Sequence, residues 1–441
     1  MAGCIRVLCV AVAAVLVSTP VGTRAEQVRL DVSMAQPTLL ANEKQSTYVK
    51  VGLTGFKLAH AADRTPVNVA IVLDRSGSMS GQKIAQAKNA AVRAIERLNS
   101  NDIVSIITYQ STVDVLVPAT KLTDVEQIRE KIASIEAGGS TALFAGVSKG
   151  AAELRKFVDK NRVNRVILLS DGLANVGPQS PSELGALGAS LIKEGISVTT
   201  MGLGLTYNED LMTQLAQKSD GNHIFIERSS DLVRIFNYEF NDVLSVVAQE
   251  VSIKVQCKDG IRPVRVLNSD AEINGQDVVV KMNQLYSEQE KYVVLEVEIP
   301  AMKTDVSREV ARVDVSYSNM KTKSTDRLSS EVSVNFSESI AVIEKATNLQ
   351  VMENCVLQIA NRRNMLATEL RDKGDIEGAR TLLLQNGIYL KTHAEKFHSD
   401  LLQFRCNINN DQAKNLDEGK WNENRKQMRR YQFQDRKNQK Y

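Results

Sequence analysis

At 441 residues the chain exceeds one ordinary hydrophobic core and predicts two or three domains. A hydrophobic fraction of 43% with 24% charged residues excludes a disordered polymer. A net charge of +3 gives no reason to expect a nucleic-acid partner.

The chain opens MAGCIRVLCVAVAAVLVSTPVGTRAEQ. Arg6 precedes an apolar stretch and small residues run up to Ala25, the layout of a secretory signal peptide (residues 1–25) cleaved after Ala25. The competing reading, an uncleaved anchor, needs an apolar run of about 20 residues, and this one is shorter. No later segment is apolar for long enough to cross a bilayer, so a secreted or periplasmic protein without a transmembrane span is expected. Cys9 lies inside the apolar stretch and does not read as a lipid-attachment site. Cleavage leaves Cys257, Cys355 and Cys406, an odd number. Any pair would join Cys355 to Cys406; buried free thiols are the alternative.

Residues 26–65 alternate apolar and polar side chains, with Val28, Leu30 and Val32 on one face and Val49, Val51 and Leu53 on another, and end in a linker. From 66 to 247 the pattern becomes strands alternating with helices. VNVAIVL and RVILLSDG read as buried strands, and Ile84, Ala87, Ala91, Ile95 and Leu98 fall on one helical face. This predicts an α/β unit with a doubly wound, mostly parallel sheet covered by helices on both faces. Residues 248–338 return to two-residue alternation with turns at Lys258-Asp259-Gly260 and Asn274-Gly275, a small β-sandwich. The strands before residue 65 are too few to fold alone, so they are expected to join that sandwich, making the α/β unit an insertion. Residues 339–441 read as an α-helical hairpin, 341–372 and 377–408, followed by a basic, solvated tail with Arg425, Lys426, Arg429, Arg430, Arg436, Lys437 and Lys440.

The stretch AIVLDRSGSMSG, residues 70–81, ends a buried strand on a carboxylate, Asp74, and then offers Ser76 and Ser78. A carboxylate there is costly without a partner. Asp171 ends RVILLSDG in the same way, and open parallel sheets form ligand crevices at this edge. Between them lies GGSTAL, whose glycines permit a tight loop carrying Thr141. Asp74, Ser76, Ser78, Thr141 and Asp171 thus form a hard-oxygen set suited to magnesium, which takes oxygen ligands at about 2.0–2.1 Å and retains waters; manganese or calcium would also fit. The competing reading is that Ser76 and Ser78 cap a helix beginning near Met79.

These residues resemble the metal-ion-dependent adhesion site of von Willebrand factor type A domains. D-x-S-x-S at 74–78, the threonine of GGSTAL and the aspartate of LLSDG match it at all five positions. The likeness covers roughly residues 66–246 and extends, more loosely in the flanks, to exported bacterial members, inter-alpha-trypsin inhibitor heavy chains and calcium-activated chloride channel proteins. It implies a cation at the top of the sheet whose coordination is completed by an Asp or Glu of a protein ligand. The expected function is therefore metal-dependent protein binding of the cell-adhesion type, not catalysis. The alternatives are a structural scaffold of an envelope assembly and a metal-assisted hydrolase.

Other motifs fall away on spacing. HAEKFH, residues 393–398, sets its histidines five apart where one helix face needs four. GSMSG lacks a central serine, and no phosphate-binding G-x-x-x-x-G-K-[ST] occurs.

Overall fold

The computed structural model describes residues 27–60 and 64–438; the expected signal segment lies outside them. Three strands come first: β1 (Arg29–Met34), β2 (Thr38–Leu40) and β3 (Gln45–Thr54). The α/β unit follows, with strands β4 (Val67–Asp74), β5 (Ile103–Tyr109), β6 (Val113–Lys121), β7 (Val163–Ser170), β8 (Ile196–Leu203) and β9 (His223–Ile226). Its helices are α1 (Gln82–Ile95), α2 (Val125–Ala133), α3 (Leu143–Arg155), α4 (Pro181–Lys193), α5 (Glu209–Lys218) and α6 (Leu232–Leu244). The sheet order is β6-β5-β4-β7-β8-β9, parallel except for β6.

Every residue of β4, β5, β7, β8 and β9 is buried, because helices cover both faces. Along β4, Val69, Ile71 and Leu73 face α1 and α6, while Ala70 and Val72 face α3. Each buried aliphatic side chain of this kind contributes about 1.5–3 kcal/mol. Local chemistry fixes the helix starts. Asp124 accepts from the Gln127 amide at 2.9 Å, and α4 begins with a Ser180/Glu183 capping box and Pro181 in its first turn.

The later strands are β10 (Val246–Cys257), β11 (Arg262–Val266), β12 (Glu272–Asn274), β13 (Asp277–Tyr286), β14 (Glu290–Ile299), β15 (Ser307–Asn319) and β16 (Thr325–Ser337). They form two sheets, β1-β3-β14-β11 and β12-β13-β10-β15-β16-β2. β3 pairs antiparallel with β14 from Thr54↔Glu290 to Gln45↔Ile299, so the early strands complete the sandwich across the α/β unit. Val51, Leu53, Val293 and Leu295 meet Ile253, Val255, Val313 and Val315 in its core.

The C-terminal region departs from the expected hairpin with a loose tail. Among the described residues it holds five helices: α7 (Ile340–Ala346), α8 (Leu349–Asp372), α9 (Ile376–Phe397), α10 (Asp400–Lys414) and α11 (Glu418–Lys437). Asn348 caps α8 by accepting from the Val351 amide, which ends α7 and breaks the first long helix. The second breaks at His398, which is left-handed at φ 51°, before Ser399 caps α10. As far as it is described the basic tail is α11, Lys440 lying outside the described residues, and several of its cations are ion-paired across elements: Arg425 with Asp210 and Asp372, Arg436 with Asp270, Lys437 with Asp220. Amides pack the interior of this bundle. Gln432 donates to Asn364 and Thr368, both at 2.8 Å, and Asn386 donates to Asn409 at 3.0 Å.

The pairing of Cys355 with Cys406 does not occur; Cys257, Cys355 and Cys406 are all free and buried. Cys355 of α8 packs on Ala35 and Val294 of the sandwich, whereas the Cys406 thiol of α10 points to the Gly387 carbonyl oxygen of α9 at 3.4 Å. No described helix is long and apolar enough to cross a membrane.

His223 sits where α11 meets the α/β unit. Its Nδ1 shares a 2.9 Å hydrogen bond with Thr200 Oγ1, and its ring meets Phe433 edge-on. Burial, with the Lys426 ammonium nearby, pushes its pKa down to about 3. Unfolded, the ring takes a proton near pH ~6.5. The unfolded state therefore gains protons as pH falls below that value while the native state does not, and stability is lost on acidification. Between pH 6.5 and 5, urea unfolding is expected to register a loss of about 2 kcal/mol from this group. His223→Gln is expected to remove that component of the pH dependence.

Candidate metal centre

β4 and β7 are direct neighbours, with Leu73 opposite Leu169, so Asp74 and Asp171 leave the same edge of the sheet side by side. Both are fully buried. Asp74 Oδ1 accepts from the Ser76 amide at 2.8 Å, and Oδ2 accepts from Ser170 Oγ at 2.6 Å. Burial pushes the Asp74 pKa up, as does the Asp171 charge, against the pull of the Ser170 and Ser76 hydrogen bonds. Asp171 Oδ1 accepts from Ser78 Oγ at 2.6 Å, and its Oδ2 takes the Lys83 ammonium from the first turn of α1.

Ser76 and Ser78 do not cap a helix. The short turn Gly77–Met79 has no side-chain cap bond, and α1 starts from Gly81 without one. Their hydroxyls instead face each other at 3.2 Å. The GGSTAL loop is clamped to this turn by Gly77 N–H to the Gly139 carbonyl at 3.0 Å and Gly138 N–H to the Arg75 carbonyl at 2.7 Å. Gly139 has φ +75°, a left-handed backbone conformation that favours glycine. Asn175 Oδ1 accepts from the Thr141 amide at 2.7 Å and fixes that residue.

The hydroxyls converge above Gly172. A Cβ placed on Gly172 would lie 3.3 Å from Thr141 Oγ1, 3.4 Å from Ser78 Oγ and 4.0 Å from Ser76 Oγ. That hollow, formed by three neutral oxygens with two carboxylates behind them, fits a hard divalent cation with room for waters. The Lys83 ammonium balances part of the Asp171 charge from the first turn of α1. The hollow opens into a cleft of about 840 Å³ lined by Ser76, Ser78, Thr141 and Gly172 on one side and by α11 on the other.

All five expected residues thus meet at one sheet edge, with the aspartates buried beneath the hydroxyls. Sequence reasoning missed Ser170, Lys83, Asn175 and Thr206, the last donating from its hydroxyl to the Asp171 carbonyl. Ser170 carried a signal, since it precedes Asp171 in LLSDG; the other three reach the site from separate elements.

The family model for the von Willebrand factor type A domain matches residues 68–238. An uncharacterized protein of Synechocystis (sll0103) is 25% identical over 331 residues, covering 73% of this chain and 77% of its own length. Human inter-alpha-trypsin inhibitor heavy chain H3 is 30% identical over 178 residues, covering 38% of this chain and only 20% of the relative. A solved von Willebrand factor type A structure from Catenulispora acidiphila covers 90% of both chains at a TM-score of 0.68 and 15% identity, a likeness of fold. With the sheet order, the flanking helices and the family match in agreement, residues 68–238 of this chain are a von Willebrand factor type A domain.

Proposed function

We propose that this is an exported, non-enzymatic binding protein that holds magnesium, or manganese or calcium, on Asp74, Ser76, Ser78, Thr141 and Asp171 and thereby takes an Asp or Glu of a protein partner. The observation that carries the reading is the convergence of three hydroxyls on one open hollow, with no capping role to explain them. When bound, the cation supplies a hard position for a carboxylate oxygen. The residues do the rest. Asp74 pins the Ser76 backbone, Asp171 orients the Ser78 hydroxyl, and Asn175 fixes Thr141. The acidic groups lining the cleft, Glu209 and Asp210, are ion-paired with Arg425 and Lys426, which argues against either as a general base.

Magnesium titration by calorimetry of the chelator-treated protein tests this. Saturable binding is expected in the wild type, and absence of any would overturn the reading. Gly172→Ala puts a methyl group into the hollow against hydroxyls that can yield slightly. Affinity is expected to fall at least about tenfold, with a melting temperature within about 2 °C of wild type.

A further inference from the structure

Beside α11, the far wall of the cleft includes the segment 204–208, between β8 and α5, and this segment is gripped by that helix from the other end of the chain. Asn422 Nδ2 of α11 donates to the Leu205 carbonyl at 3.0 Å. Lys426 lies over the Tyr207 ring at 4.9 Å, and its Nζ donates to Glu209 Oε2 at 2.7 Å and to Asn422 Oδ1 at 3.0 Å. Arg425 adds bonds to Glu209 and Asp210 while its other edge is held by Asp372 of α8 at 2.8 Å. From the same segment, Thr206 donates its hydroxyl to the backbone carbonyl of Asp171. A continuous chain of contacts therefore runs from α8 through α11 and the 204–208 segment to a residue of the metal centre.

We propose that α11 is a clasp, with Asn422, Arg425 and Lys426 as positioning residues that hold the 204–208 wall and, through Thr206, the Asp171 backbone in register with the hydroxyl hollow. This rests on the metal-binding reading for its consequence, not for its existence.

Burial is what makes the arrangement a positional device. The side chains of Lys426, Glu209 and Arg425 are only 2%, 7% and 16% exposed. Ion pairs taken out of water repay little net stability but fix geometry, since any other arrangement strands a buried charge. The helix does not need them in order to dock. Its far end is attached separately, by Lys437 to Asp220, Arg436 to Asp270 and Phe433 against His223. Of the α11 side chains only Asn422, Arg425 and Lys426 line the cleft, Arg429 pairing with Asp210 at 3.1 Å behind them, so the role can be separated from docking at the far end.

Hydrogen exchange of the metal-free protein, read in peptides covering 203–208, is the test. In Arg425→Gln/Lys426→Met, which keeps the aliphatic stem over Tyr207, exchange there is expected to quicken about tenfold while the β4 and β7 cores keep their protection. Lys437→Met loosens the same helix at the other end and is expected to leave 203–208 at the wild-type rate. Unchanged exchange in the double variant overturns the clasp, and so does equal acceleration in Lys437→Met. Magnesium affinity of the double variant is expected to fall about tenfold, as for other partners that orient ligands. A wild type that binds no magnesium defeats the metal reading alone, because the exchange result still decides whether α11 holds the wall.

Discussion

Arg165→Ala is expected to lower the free energy of unfolding by about 3–5 kcal/mol, measured by urea denaturation. Arg165 lies in β7 with no solvent exposure. Its Nη1 donates to Glu239 Oε1 of α6 at 2.7 Å and to Thr199 at 3.2 Å, and its Nε donates to Ser197 at 3.1 Å. Its Nη2 reaches Gln284 and, at 3.2 Å, Tyr286 of β13 in the sandwich. One guanidinium thus ties two strands and a helix of the α/β unit to the neighbouring domain. Truncation removes the guanidinium that pairs with the fully buried Glu239, and the Thr199 hydroxyl and the Asn222 amide at 2.7 Å that also donate to this carboxylate carry no charge to replace it. The double variant Arg165→Met/Glu239→Leu removes both charges and is expected to lose less than the single one. If the single variant lost under about 1 kcal/mol, water would have to be reaching the site. Magnesium binding should be unaffected, because Arg165 lies near the start of β7 and the metal centre at its end.

The other large effect falls on the metal centre. Asp171→Ala and Asp74→Asn are each expected to weaken magnesium binding by about 100-fold or more, ~2.7 kcal/mol. The three hydroxyls are neutral, so the carboxylates supply the negative charge that offsets dehydration of the cation. Asparagine is the informative choice at position 74. Alanine would leave Ser170 Oγ and the Ser76 amide without an acceptor in a buried place, at a cost of about 1–3 kcal/mol. Asparagine removes the charge, keeps an acceptor oxygen for the Ser76 amide and turns an NH2 group toward Ser170 Oγ, a hydroxyl that can accept in its turn, so folding and affinity separate. Calorimetry reads the loss, and a near-wild-type melting curve shows that the scaffold persists.

The sequence was legible where structure is local or periodic. The apolar runs Val69–Leu73 of β4 and Val166–Leu169 of β7 announced buried parallel strands, and a carboxylate following each one located the functional edge. Legibility failed where charge or amide chemistry replaces apolar periodicity. In α11, Arg425, Arg436 and Lys437 read as solvated because their partners Asp372, Asp210, Asp270 and Asp220 stand on distant elements. Buried Asn and Gln pack the α8–α11 interior, so no apolar stripe marked α11 as a packed helix. The break at His398 was visible only as Ser399-Asp400, a cap signal inside an otherwise continuous helical pattern.

The pairing of β3 with β14 also governs the order in which the protein can take shape during synthesis. Thr54 must wait for Glu290, an interval of roughly 10–50 s at ordinary elongation rates. In that time the α/β unit, built largely from short-range strand–helix connections, has emerged whole. By folding it draws Val67 of β4 and Leu244 of α6 into one core and shortens the effective loop that β3 and β14 must close. The inserted domain is thus expected to act as a folding staple for the sandwich that surrounds it, and a lesion that delays its folding should leave β3 an unpaired, aggregation-prone edge.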